Sequence, residues 1–249
     1  MNYFQYNFKG SHFHIFSAEH LLTLLIIVLL SVCLFIFRRV LQKPKWENFL
    51  RYSLAVLLII AEISLQTWYI YFHAWSPRFS LPLELSDLTV LLAIIMLLTK
   101  SVGLFNFTYF AGLGSSIQAI LTPDLSIYSF PHFRYIEFFV SHGGVFLACL
   151  FMVAVEKYKP TFRSLWESIL ILDIYGACIF VVNHLLDANY LYIMKKPKIP
   201  SILDYLGPWP WYIITLEAII IIVFLILYAP FFIHRKINKK KENLANAKP

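Results

Sequence analysis

The stretch LPLELSDL, residues 81–88, runs directly into TVLLAIIMLL, residues 89–98. Its second half reads as a helix made for lipid, with Pro82 near the start. Its first half carries Glu84, Ser86 and Asp87. A charged side chain facing lipid costs about 2.5–3.5 kcal/mol even on the mild insertion scale. Two acids and a hydroxyl in the first two turns must therefore face protein or water.

The rest of the chain supports the membrane reading. Of 249 residues, 59% are hydrophobic and only 14% charged, and the mean hydropathy is +0.69. A water-soluble domain of this length needs far more polar surface. The expected fold is all-α: a polytopic membrane protein with seven transmembrane helices. The spans fall near 20–37, 50–72, 81–98, 103–121, 135–155, 163–186 and 209–233, within one domain covering 1–249. Tyr and Trp near several span ends, such as Trp68, Tyr69, Trp209 and Trp211, suit interfacial anchors. The first 19 residues have no basic n-region and no small-residue cleavage site, so the first span is expected to be a permanent helix.

Charge placement orients the chain. Of the 21 Lys and Arg, 15 fall on one set of alternate loops and 6 on the other. The positive-inside rule then predicts an N-terminus outside and a basic cytoplasmic tail, 234–249. The net charge of +7 is thus a topology signal rather than a sign of nucleic acid. Anionic lipid is a second reading for the tail sequence IHRKINKKK. Cys33, Cys149 and Cys178 lie within spans without CxxC spacing, and read as core cysteines. No internal repeat is evident. AGLGSS, residues 111–116, is a small-residue stretch suited to close helix packing.

Depth arithmetic gathers the intramembrane polar groups. Ser86 lies about 7–8 Å in from the outer end of its span, and His142 about 10 Å. Gln118 and Asn183 lie near the outer ends of spans four and six, Glu62 and Gln66 share a face of span two, and Glu217 is in span seven. Six helices thus contribute to one outer polar layer, expected to line a chamber open to the outside. For any one residue, helix-to-helix hydrogen bonding is the plain explanation. For the whole layer, a substrate or ion site is favoured.

The loops and flanks carry a resemblance. LPLELSDL, LTPDL (121–125), PHFRYIEFFVSHGG (131–144), ANYLYIMKKP (188–197) and LDYLGPWPWYI (203–213) together resemble the YwaF family of bacterial seven-helix membrane proteins. That family is related to a eukaryotic branch resembling membrane lipid acyltransferases, with an intramembrane Cys and His as the proposed pair. The bacterial pattern usually reads LPLHLCDL. Here Ser86 stands at the cysteine position and Glu84 at the histidine position, while His142 matches the family histidine. A neighbouring family of membrane ester hydrolases uses a hydroxyl nucleophile at a similar site.

The residues permit matching chemistry. Ser86 is the candidate nucleophile and His142 its base, with Asp87 or Glu137 orienting the imidazole. Gln118 or Asn183 is a candidate oxyanion donor, and Arg134 a candidate holder of lipid phosphate. Glu62, Gln66, Glu84 and Glu217 complete the candidate substrate-binding set. The expected substrate is a membrane phospholipid, taken at the outer leaflet of the cell membrane without a cofactor. A metal-dependent hydrolase is disfavoured because HExxH and HxxxH pairs are lacking. A carrier or a non-enzymatic binding protein remains as the alternative.

Overall fold

The computed structural model describes residues 3–197 and 202–246. Lys198 and Lys248, part of the charge asymmetry, lie outside the described residues. Within them the fold is helical and strand-free. The helices are α1 (Ala18–Ile36), α2 (Arg38–Leu41), α3 (Pro44–Tyr71), α4 (Leu85–Thr99), α5 (Val102–Phe107), α6 (Leu113–Leu121), α7 (Phe133–Ala154), α8 (Phe162–Leu186) and α9 (Trp211–Asn246). Five helices among the described residues are long and apolar enough to cross a membrane: α1, α3, α7, α8 and α9 up to Lys241.

The remaining two expected spans are built differently. Helix α4 starts at Leu85, not Leu81, and is 15 residues long. At 1.5 Å per residue it reaches about 22 Å. Leu81–Glu84 approaches it without helical structure. Residues 102–121 form α5, a π turn at Thr108–Gly112 and α6 in direct succession. At its far end α9 continues to Asn246, so the basic tail begins as helix.

Local chemistry explains the boundaries. Ser17 caps α1 and Ser101 caps α5 through their side chains. Pro44 opens α3, where the missing N–H costs nothing. Thr161 and Ser164 form a reciprocal capping box at α8.

Helix α7 is the hub, packed on α1, α3, α4 and α6. The core joins Leu58, Ala93, Met96, Phe105, Phe110, Ala148 and Phe151, all fully buried. Small residues permit this closeness. A Cβ on Gly112 would fall 2.9 Å from Thr108, 3.2 Å from Val145 and 3.3 Å from Thr89. A Cβ on Gly144 would fall 2.7 Å from buried Leu58. By contrast α1, α8 and α9 present rows of large apolar side chains outward, as a lipid-facing surface requires.

An ion network ties the basic end. Arg51 Nε donates to Glu47 Oε1 at 2.8 Å, and its Nη1 to the Leu97 carbonyl at 2.6 Å. Lys100 Nζ bridges Glu47 at 2.9 Å and Glu156 at 3.0 Å. Burial opposes the charge on Lys100, but the two carboxylates outweigh it and hold its pKa above the ordinary value. Burial lifts Glu156 above the usual carboxylate range, with Lys100 opposing and Glu47 adding to the lift.

The opposite end is covered by the N-terminal segment. The carbonyls of Phe4, Gln5 and Tyr6 accept from Trp68 Nε1 at 2.7 Å, His132 Nε2 at 3.1 Å and Tyr128 Oη at 2.7 Å. The other nitrogen of His132 accepts from Arg134 N at 3.0 Å and caps α7.

Candidate functional site

The approach to α4 is pinned from α8 and the loop that follows it. Tyr190 Oη accepts from Leu81 N at 3.0 Å and donates to the Pro77 carbonyl at 2.8 Å. Tyr175 Oη donates to the Leu83 carbonyl at 2.8 Å. Glu84, the N-cap residue of α4, makes no side-chain cap and instead accepts from Leu191 N at 3.0 Å. Asn183 is buried and spans Tyr190 with both arms. Non-helical backbone inside a membrane protein is tolerated where protein or a wet cavity satisfies its polar groups. Here two tyrosines do so.

All eight residues of LPLELSDL are half-buried, whereas neighbouring helices alternate between buried and exposed positions. The segment is thus partly covered along its whole length, with no fully buried face. Asp87 lies in the first turn of α4, where the helix dipole favours a negative charge. Glu62, Glu84, Arg134 and Glu137 are all near enough to act on it electrostatically. Tyr69 lies within the same field. Glu62, Glu84, Arg134 and Glu137 thus gather around Asp87.

Their pairings refine the expected roles. Arg134 forms an ion pair with Glu137, one helical turn away. Glu137 is thereby occupied by Arg134 rather than by an imidazole. Gln66 donates to Glu62 at 3.1 Å and accepts from Trp75 Nε1 at 3.1 Å. Ser86 Oγ approaches Asp87 Oδ1 at 3.5 Å, the outer limit of a hydrogen bond.

His142 is oriented by backbone. Its Nδ1 lies 2.8 Å from the Phe138 carbonyl, and the Phe138 ring stacks on it with centroids 4.1 Å apart. A carbonyl only accepts, so Nδ1 carries the proton and Nε2 keeps its lone pair. This is the tautomer a general base needs. No hydrogen bond joins Ser86 to His142 among the described residues.

Three expected members face elsewhere. Gln118 is exposed and donates to Thr122 Oγ1 at 3.1 Å. Asn183 is committed to Tyr190. Glu217 on α9 lies beside Asp173 on α8. Sequence reasoning missed Tyr175, Tyr190 and Phe138. The Tyr-rich loop ANYLYIM was the available signal for Tyr190. A backbone carbonyl as the histidine's partner leaves no signal in the sequence at all.

Searches of curated proteins and of solved structures give no match to this chain. The model of the TMEM164 family matches residues 15–228. With most of its length matched and its long apolar helices in place, the chain belongs to the TMEM164 family of multi-span membrane proteins.

Proposed function

We propose that this protein is a YwaF-type enzyme that transfers or hydrolyses acyl chains of membrane lipids at the outer leaflet of the cell membrane. The single observation carrying this reading is His142 held as the Nδ1–H tautomer, with Arg134 near enough to act on both it and Asp87, the residue next to Ser86. Seven crossings with the N-terminus outside belong to the same proposal. In it, α4 with its extended approach and the run 102–121 supply the two crossings beyond the five long helices.

In the proposed step, Ser86 Oγ attacks the ester carbonyl of a phospholipid while His142 Nε2 takes the hydroxyl proton. The carbonyl–oxygen bond to the lysolipid breaks, and that oxygen leaves with the proton from His142. The acyl group remains on Ser86 as an ester. Water or the hydroxyl of a second lipid then takes it, with His142 repeating the proton transfers. Asp87 positions the Ser86 hydroxyl. The N–H groups of the first turn of α4, which no side chain caps, are the candidate oxyanion donors, in place of Gln118 and Asn183. Substrate must bring Ser86 and His142 into hydrogen-bond reach, a tightening common to catalytic pairs seen without substrate.

The test is to incubate purified protein with mixed phospholipid liposomes and measure acyl-chain profiles. Wild type, Ser86→Ala and His142→Ala are compared, with intact-mass detection of an acylated protein. Wild type remodels lipid, and both folded variants lose that activity. An unchanged profile and no acyl-protein across a broad lipid panel would overturn the enzyme reading. The missing Ser86–His142 bond favours a second reading, a binding or transport chamber, which that outcome would select.

A further inference from the structure

Away from the polar cluster around Asp87, α1, α2 and α3 form an elbow. Helices α1 and α3 both pack on α7, and α2 closes the angle between them at the basic end. Gln42 Nε2 pins this corner by donating to the Ala154 carbonyl at the end of α7, at 3.2 Å. The wedge inside the elbow is a cavity of about 470 Å³, lined by Cys33, Phe37, Leu41, Trp46, Leu50 and Leu147 among others. Its lining is almost wholly apolar. A second apolar groove of about 680 Å³ runs along α3 from Lys45 to Val56, and Trp46 lines both.

The rim of this corner carries one sign of charge. FRRVLQKPKW, residues 37–46, holds Arg38, Arg39, Lys43 and Lys45 without an acid. All four are exposed, and none is ion-paired among the described residues. The next acid, Glu47, is buried and committed to Arg51 and Lys100. The cations thus have no carboxylate partner among the described residues, with Lys45 Nζ 5.7 Å over the Trp46 ring, and they stand directly beside an apolar wedge and an exposed indole. That combination fits one amphiphile: a negative headgroup on the rim with a hydrocarbon chain below it.

We propose that the α1–α2–α3 elbow is a binding site for an anionic glycerophospholipid of the leaflet facing α2. One acyl chain lies in the wedge and the other in the groove across Trp46. The phosphate and headgroup sit among Arg38, Arg39, Lys43 and Lys45. A wedge of this volume is within the usual size of a ligand site.

The experiment uses the full chain, delipidated in a neutral detergent, with phosphatidylglycerol or phosphatidylcholine added back. Retained lipid is counted by native mass spectrometry, and melting temperature is followed in parallel. Wild type is expected to retain phosphatidylglycerol about tenfold or more over phosphatidylcholine, as four surface cations imply. A variant with Arg38, Arg39, Lys43 and Lys45 all changed to Gln loses that preference. Cys33→Trp, which fills the wedge from an exposed position, also loses it. A third variant with Lys239, Lys240 and Lys241 changed to Gln keeps it. Equal retention of the two lipids by wild type would overturn the proposal. So would loss of the preference only in the tail variant, or full preference in both elbow variants.

Discussion

Asn183 holds Tyr190 with both arms of its amide: Oδ1 accepts from Tyr190 N at 2.8 Å, and Nδ2 donates to the Tyr190 carbonyl at 2.9 Å. Tyr190 in turn holds the approach to α4 through Leu81. Asn183→Ala leaves a buried backbone donor and acceptor unpaired. It is expected to cost about 2–4 kcal/mol. Thermal melts in detergent and faster proteolysis within 187–197 will show it. Asn183→Asp, which keeps only the acceptor, should fall between the two.

The basic end makes a separate prediction. The Arg51 side chain is only 6% exposed. Arg51→Met strips Glu47 of one partner and the Leu97 carbonyl of its donor. A loss of about 3 kcal/mol is expected, as for breaking a buried pair. Arg51→Lys should recover little, because a single ammonium does not reproduce the fork that reaches Glu47, Asn48 and Leu97 together. Denaturation of the purified variants checks both statements.

His132 predicts a pH dependence. Burial lowers its pKa below the ordinary 6.5, Arg134 adds to this, and the Gln5 carbonyl opposes it. The folded state therefore favours neutral imidazole, whose unprotonated nitrogen caps α7. Its contribution is complete above pH 6.5 and is lost as pH falls from there through the lowered value. Melting temperature should drop on acidification. His132→Asn, which caps without titrating in this range, should flatten that part of the profile. An unchanged slope in that variant would assign the dependence to other groups.

Two glycines should behave oppositely. Gly112→Ala drives a methyl among Thr108, Val145 and Thr89 and is expected to cost about 1–3 kcal/mol. Gly176, inside α8, has open space where a Cβ would stand. Gly176→Ala should gain about 0.5–1 kcal/mol through helix propensity. Paired melts of the two variants test this.

The proposed nucleophile gives a further prediction. Ser86→Cys puts at this position a thiol, the stronger nucleophile. On the acyl-transfer reading, this variant accumulates an acylated protein that hydroxylamine cleaves, and Ser86→Ala does not. Absence of the adduct in active preparations would argue against residue 86 as the attacking group.

Much of this was legible in the sequence. Apolar runs announced the long helices, because lipid leaves little choice of side chain along 20 residues. AGLGSS marked close packing, and Gly112 provides it. The acids of LPLELSDL turn toward protein, as their cost in lipid demands. What escaped was where α4 starts. Glu84 has the composition of a helix interior only if its carboxylate is ignored, and its partner is a backbone N–H 107 residues away. Hydropathy also hid the occupied state of Arg134 and Asn183. Depth along a helix says nothing of which neighbour a side chain meets.

That 107-residue separation has a consequence in time. A growing chain completes α4 long before residue 191 emerges, so the acid at its head waits without its backbone partner while α5 to α8 are made. Tyr175 and Tyr190 arrive in the same late interval. The polar cluster is therefore finished only once α8 and the loop after it have been made, and a chain halted after α7 carries an unlatched helix start.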